Sequence, residues 1–184
     1  MKLLIIGHGR HGKDTVAEIL NENYGLTFKS SSQAASDIFL YEKLKTEFGY
    51  QTPEECYIDR HNKRARWHQE ISEYNTPDKS KLAEGIMADN DIYVGMRCSQ
   101  ELESCIDKQL FDHIVWVSAD GRISYQEGAD SFNIDKEYAD YFIDNSGTMD
   151  DLVKEVDIMY SNFIRMSIDS QHLQETFHEL QESD

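Results

Sequence analysis

Short apolar runs alternate with amphipathic stretches along the whole chain. Met1-Lys-Leu-Leu-Ile-Ile6 is apolar and closed by a glycine, which predicts a buried strand. Residues 25–29, 92–97, 111–117 and 140–145 read the same way, and the fourth of these five strands is apolar enough to be central. Helical periodicity fills the gaps. It predicts a helix over residues 14–23 and another over 34–48, with Ala35, Ile38, Phe39, Leu44 and Phe48 facing inward. Further helices are expected near 60–74, over 78–88, and over 99–110 with Leu102, Ile106 and Leu110 inward. A helical turn covers 134–139. A long helix starts near Met149, with Leu152, Val156, Met159, Tyr160, Phe163 and Ile164 as its apolar stripe. Strands that alternate with helices build a parallel sheet covered on both faces. The expectation is a three-layer α/β/α domain of five strands.

The first junction carries the chemistry. Gly7-His-Gly-Arg10-His11-Gly12-Lys13 joins the first strand to the first helix. Strand, glycine-rich loop and helix, with Lys after the last Gly, is the setting of a phosphate-binding P-loop. Gly7, Gly9 and Gly12 let the backbone turn tightly and bring N–H groups close to a polyphosphate. The helix start adds a positive dipole end, and Lys13 adds a point charge. Asp14 stands where a Mg²⁺-binding hydroxyl usually sits, and Thr15 comes one later. The bland alternative is an ordinary glycine-rich turn. Lys-x-Thr resembles the adenylate-kinase-like enzymes. Gly12-Lys-Asp-Thr15 in particular resembles the phage-type deoxynucleoside monophosphate kinases and their dephospho-CoA kinase relatives. That resemblance implies a P-loop NTPase fold of strand order 2-3-1-4-5, with ATP as donor. It also implies Mg²⁺ near Asp14 and Thr15, directly or through water.

Three later segments carry the same resemblance. The phage kinases have a strand ending Asp-Val-Arg, followed by Phe-Pro-Asn-Glu, where this chain reads Gly95-Met-Arg97-Cys-Ser-Gln-Glu101. Arg97 and Glu101 match, whereas Gly95 replaces the carboxylate. Arg97 falls at a strand's C-terminal end, where ligands bind in open parallel sheets; a simple cap on the strand end would also account for it. The fourth strand leads to a short lid at about 120–134, in which Arg122 is the natural cation for the transferred phosphoryl group and Glu127 and Asp130 are acidic. The run 139–148 resembles the family's segment against the donor adenine, so Asn145, Ser146 and Gly147 become candidate contacts through backbone groups. A strand, a turn and a capped helix explain the same letters.

Composition narrows the partners. A formal net charge of −17 repels nucleic-acid backbones, so an anionic ligand must be small and enter a locally basic pocket. No stretch is long and apolar enough to span a membrane. Cys56, Cys98 and Cys105 lack metal spacing and read as reduced thiols of a cytoplasmic protein, in a host's cytoplasm if phage-encoded. Against this acidity, Arg60, Lys63, Arg64 and Arg66 gather four of the 18 Lys and Arg residues within seven positions. A solvated helix face is one account. An acceptor site is the other, with Arg64, Arg60 and Arg66 on a monophosphate and Trp67 as base platform or core residue. On one helix Arg60, Arg64 and Trp67 would share a face, while Lys63, Arg66 and Glu70 share another. Ser30 and its two neighbours either cap a helix or meet a sugar or phosphate.

These readings assemble into a single kinase domain over residues 1–168, with a helical acceptor-binding insert at about 30–90, followed by an acidic tail over 169–184. Leu173, Phe177 and Leu180 suit that tail to docking on the domain or on a second copy, which would make a homodimer. The expected activity is an ATP-dependent (deoxy)nucleoside monophosphate kinase, with small-molecule nucleotides as partners. Two alternatives stand beside it. One is a P-loop kinase of another acceptor, such as a coenzyme precursor or a modified base in DNA. The other is a nucleotide-binding regulator without turnover.

Overall fold

The computed structural model describes residues 1–123 and 132–182, with side chains of the last helix as far as Asp169. Strand β1 (Leu3–Ile6) is fully buried, because it lies at the centre of a sheet with helices on both sides. The other strands are β2 (Phe28–Ser30), β3 (Ile92–Val94), β4 (His113–Ser118) and β5 (Tyr141–Asp144). Every pairing is parallel and the order is β2-β3-β1-β4-β5, as expected. Alternation along β1 divides the core. Leu4 and Ile6 face one layer, together with Tyr93, Ile114 and Trp116. Leu3 and Ile5 face the other, with Val94, Val115 and Val117.

On the Leu3 face lie α1 (Lys13–Tyr24) and α8 (Met149–Glu182). α1 ends at Gly25, whose left-handed φ of 72° and N–H bond to Asn21 O form a C-terminal cap. α8 buries Leu152, Val156, Met159 and Phe163, whereas Ile164, expected in the same stripe, is 38% exposed. This helix continues unbroken to Glu182. The side chains of Leu173, Phe177 and Leu180 lie outside the described residues, as do Glu127 and Asp130 of the expected lid.

The opposite face is covered by α2 (Ser31–Ala35), α3 (Tyr41–Phe48), α4 (Pro53–Asp59), α5 (Arg64–Tyr74), α6 (Lys81–Met87) and α7 (Ser99–Asp107). A π-turn over Ser36–Leu40 joins α2 to α3. The wider turn shifts the helical phase, so Leu40 enters the core and Ile38 is left 44% exposed, contrary to the simple 3.6 period. In α7 the inward places go to Leu102 and Cys105, and Ile106 turns outward. No described helix is long and apolar enough to cross a membrane.

Candidate active site

The loop between β1 and α1 owes its shape to three left-handed residues: Gly7 at φ 137°, Arg10 at φ 69° and Gly12 at φ 92°. A Cβ on Gly7 would lie 2.2 Å from Val117 O, so the loop is pressed against the end of β4. A Cβ on Gly12 would meet Asn145 Nδ2 at 2.1 Å. α1 begins with no side-chain cap, which leaves its leading N–H groups for a ligand. Lys13 arches back over the loop, its Nζ donating to His8 O at 2.6 Å.

His11 holds this loop to the sheet. Its side chain is 1% exposed, and its Nδ1 accepts the Ala119 N–H at 3.0 Å, which places the ring proton on Nε2. Asn145, also buried, donates from Nδ2 to His11 O at 3.0 Å. Burial depresses the His11 pKa below 6.5, opposed by Asp120 and reinforced by His8, Lys13 and Arg122. The sign follows from linkage. Below pH 6.5 the unfolded chain binds a proton that the folded ring resists. The His11 contribution is therefore complete above pH 6.5 and is lost as pH falls toward the depressed folded value. Denaturant midpoints measured between pH 7.5 and 5 should fall on acidification. A His11→Asn variant, whose side-chain oxygen can still accept the Ala119 N–H, should show a shallower fall. An unchanged slope would mean that the ring does not carry the effect.

A cavity opens from this loop and runs into a second one beside it. The first, about 680 Å³, is bounded by Arg10, His11, Lys13, Asp14, Ser30 and Ile123, among others. The second, about 380 Å³, extends between α5 and the end of β3 past Trp67, Ile71, Tyr93, Met96 and Glu101. Arg60, Arg64 and Arg97 line both, at the junction. Three cations therefore converge where the loop cleft meets the side cavity. The exposed His61 beside them registers their field: Arg60 foremost, with burial, Arg64 and Arg10, lowers its pKa.

The route by which Arg60 arrives differs from the expectation. α4 ends at Asp59 and α5 begins at Arg64, so Arg60 sits in the turn between two helices instead of on the helix of Trp67. There its Nη1 donates to Tyr57 O at 2.9 Å and its guanidinium lies 3.8 Å from the Tyr57 ring centre. Arg66 is a correction. It turns away from both cavities and pairs with Glu70 at 2.9 Å, a carboxylate 4% exposed that Lys43 also contacts. Uncompensated, that buried charge would be costly, so Arg66 and Lys43 serve the packing of α5 on α3. Trp67 is a core residue, 4% exposed, that also borders the side cavity. Its indole Nε1 is buried with no acceptor among the described residues.

Other expected residues fall where the sheet puts them. Asp14 lines the loop cleft, whereas Thr15 lines neither cavity. Ser30 caps α2, accepting Gln33 N–H at 3.2 Å, and also borders the loop cleft. Gly95 has φ 92°, a conformation side chains rarely adopt, so the missing carboxylate follows from the turn after β3. Arg122 does not reach the cleft. Its Nε donates to Asn145 O at 2.7 Å, tying the turn after β4 to the loop after β5. Asn145 and Gly147 line neither cavity; Asn145 instead braces the phosphate loop through His11.

Several lining residues were not anticipated: His8, His68, Lys79, Tyr93 and Gln100. His8 was visible inside the loop motif. Asn75, which backs the side cavity by donating to Glu101 at 2.8 Å, has no local signal, because its partner lies 26 residues away.

No protein-family model matches the sequence, and a search of curated proteins returns no match. Solved structures do resemble it. A shikimate kinase from Aquifex aeolicus superposes with a TM-score of 0.52 at 11% identity, over 89% of this chain and 98% of that one. A gluconokinase from Sinorhizobium meliloti gives 0.48 at 12% identity, over 90% and 97%. Identities this low speak to architecture alone, and the sheet order, the loop at its carboxyl edge and the likeness to the shikimate kinase structure show that the chain has the P-loop kinase α/β fold.

Proposed function

We propose that the protein is an ATP-dependent kinase of nucleoside or deoxynucleoside monophosphates. The observation that carries this reading is the junction of the two cavities, where Arg60, Arg64 and Arg97 meet beside Lys13's loop. In a chain of net charge −17 such a cationic focus calls for a strongly anionic ligand. The loop suits the polyphosphate of ATP, and Asp14 suits a hydrated Mg²⁺. Bound there, ATP supplies the phosphoryl group and the metal offsets its charge.

The protein's own part is alignment and electrostatics. The loop amides and Lys13 hold the donor tail. Arg64 and Arg97 offer planar donor forks to an acceptor phosphate, with Arg60 behind them. The aromatic and apolar walls beyond, Trp67 and Ile71 among them, suit a nucleoside in about 380 Å³. An ADP-release assay across the common and modified monophosphates, with product identified by mass, tests the reading; no phosphorylated nucleotide from any of them rejects it. Arg97→Met should raise KM for the monophosphate by about 10- to 100-fold and leave KM for ATP within about threefold. Equal losses toward both substrates would move Arg97 to the donor side.

Gly95 favours a second reading, a regulator that binds nucleotide without transferring phosphate. Among the described residues Asp14 is the sole carboxylate bordering the loop cleft. Titration calorimetry showing tight ATP binding in a protein that transfers nothing would select it.

A further inference from the structure

The side cavity is polarised along its length. At the mouth it shares with the loop cleft, Arg60, Arg64 and Arg97 attract an anion. Beyond the shared mouth lies a carboxylate, Glu101, on the first turn of α7. Its position is built. Asn75 is 1% exposed, and its Oδ1 accepts the Leu82 N–H at 3.2 Å. That contact orients the amide so that Nδ2 donates to Glu101 Oε1 at 2.8 Å. The other carboxylate oxygen has no hydrogen-bond donor among the described residues. A half-buried acceptor held by a buried amide is a device for recognising a donor on an occupant, since leaving it unmatched costs free energy.

We propose that Glu101 accepts a hydrogen bond from an exocyclic amino group on the acceptor's base, so that the enzyme's substrate is an amino-bearing nucleoside monophosphate. This rests on the nucleotide-kinase reading above. With the phosphate at the three arginines, the base falls among Trp67, Ile71 and Met96, with Glu101 at its edge. A base that presents a carbonyl or a bare C–H at that edge leaves the carboxylate unpaired. Discrimination by a site of this kind comes from the buried group that the wrong ligand fails to satisfy. Burial also raises the Glu101 pKa, against the pull of Asn75 and Lys79, as expected for a carboxyl group in a cavity awaiting a partner.

Calorimetric titration of the full chain with dGMP, dAMP, dIMP, dCMP and dUMP tests the proposal by binding alone. Within one matched set (dGMP or dAMP against dIMP, or dCMP against dUMP) the amino-bearing member should bind about 10- to 100-fold tighter. Glu101→Gln retains a carbonyl for Asn75 but turns the other atom into a donor. It should cut that preference to about threefold or reverse it. Equal binding within every set, or a preference that survives Glu101→Gln, overturns the proposal and leaves the kinase reading in place. Selective binding without phosphoryl transfer does the opposite. Failure of all five to bind overturns the proposal together with the acceptor site.

Discussion

A Lys13→Met variant is expected to lose phosphoryl transfer by about 10³-fold or more, while folding as the parent does. The ammonium lies over the phosphate loop, 2.6 Å from His8 O, in the loop cleft that also carries Asp14 and Arg10. Transfer spreads negative charge over the equatorial oxygens, and a cation fixed beforehand stabilises that charge without reorganisation. Methionine keeps most of the stem and its packing, and loss of the bond to His8 O costs the fold about 1 kcal/mol. Coupled ADP release gives the rate, and thermal unfolding gives the control. A rate within about tenfold of wild type, in a folded protein, would remove Lys13 from the reaction and the phosphate-loop assignment with it.

The parts of this molecule legible in the sequence were those set by local pattern. The three central strands, β3, β1 and β4, stood out because a sheet covered on both faces needs nearly continuous apolar runs, whereas the partly exposed edge strands β2 and β5 are short runs marked by their turn residues. The phosphate loop was equally plain, since its glycines, Lys13 and helix are consecutive. Helix phase was less secure. The π-turn at Ser36–Leu40 inserts extra backbone into a continuous helical path, and no residue type announces it. The cationic segment shows a different limit. Arg60 and Arg64 both line the cleft, but a helix break between them changes the geometry expected from one continuous helix. Arg66, two residues further, is drawn off by the buried carboxylate of Glu70. Burial of one acid decides which of three neighbouring arginines line the cavities. Bracing contacts lay beyond reach altogether. His11 to Ala119, Asn145 to His11 and Asn75 to Glu101 join distant segments, and their residue types look like ordinary loop chemistry until the sheet brings them together.

Gly7→Ala should be the most damaging single methyl group added to this chain. Two independent costs meet there. At φ 137° a side chain is strained whatever the space around it, and the added Cβ would sit 2.2 Å from Val117 O. The obstacle is backbone in the central strand pair, with β1 and β4 locked in register from Leu3↔His113 to Ile6↔Trp116, so it cannot swing aside as a side chain would. The loop must lift instead, which pulls His11 from Ala119 and Asn145 from His11. Strain and overpacking together predict a loss of about 2–5 kcal/mol. Gly25→Ala is the matched control: its φ is 72° and nothing lies within 4 Å, so only conformational strain of about 1–2 kcal/mol remains. Urea unfolding of the two variants separates the terms. A Gly7→Ala protein as stable as Gly25→Ala would mean that the loop is not pressed on β4. Because the same loop shapes the cleft proposed for ATP, Gly7→Ala should also weaken ATP binding, and Gly25→Ala, at the far end of α1, should not.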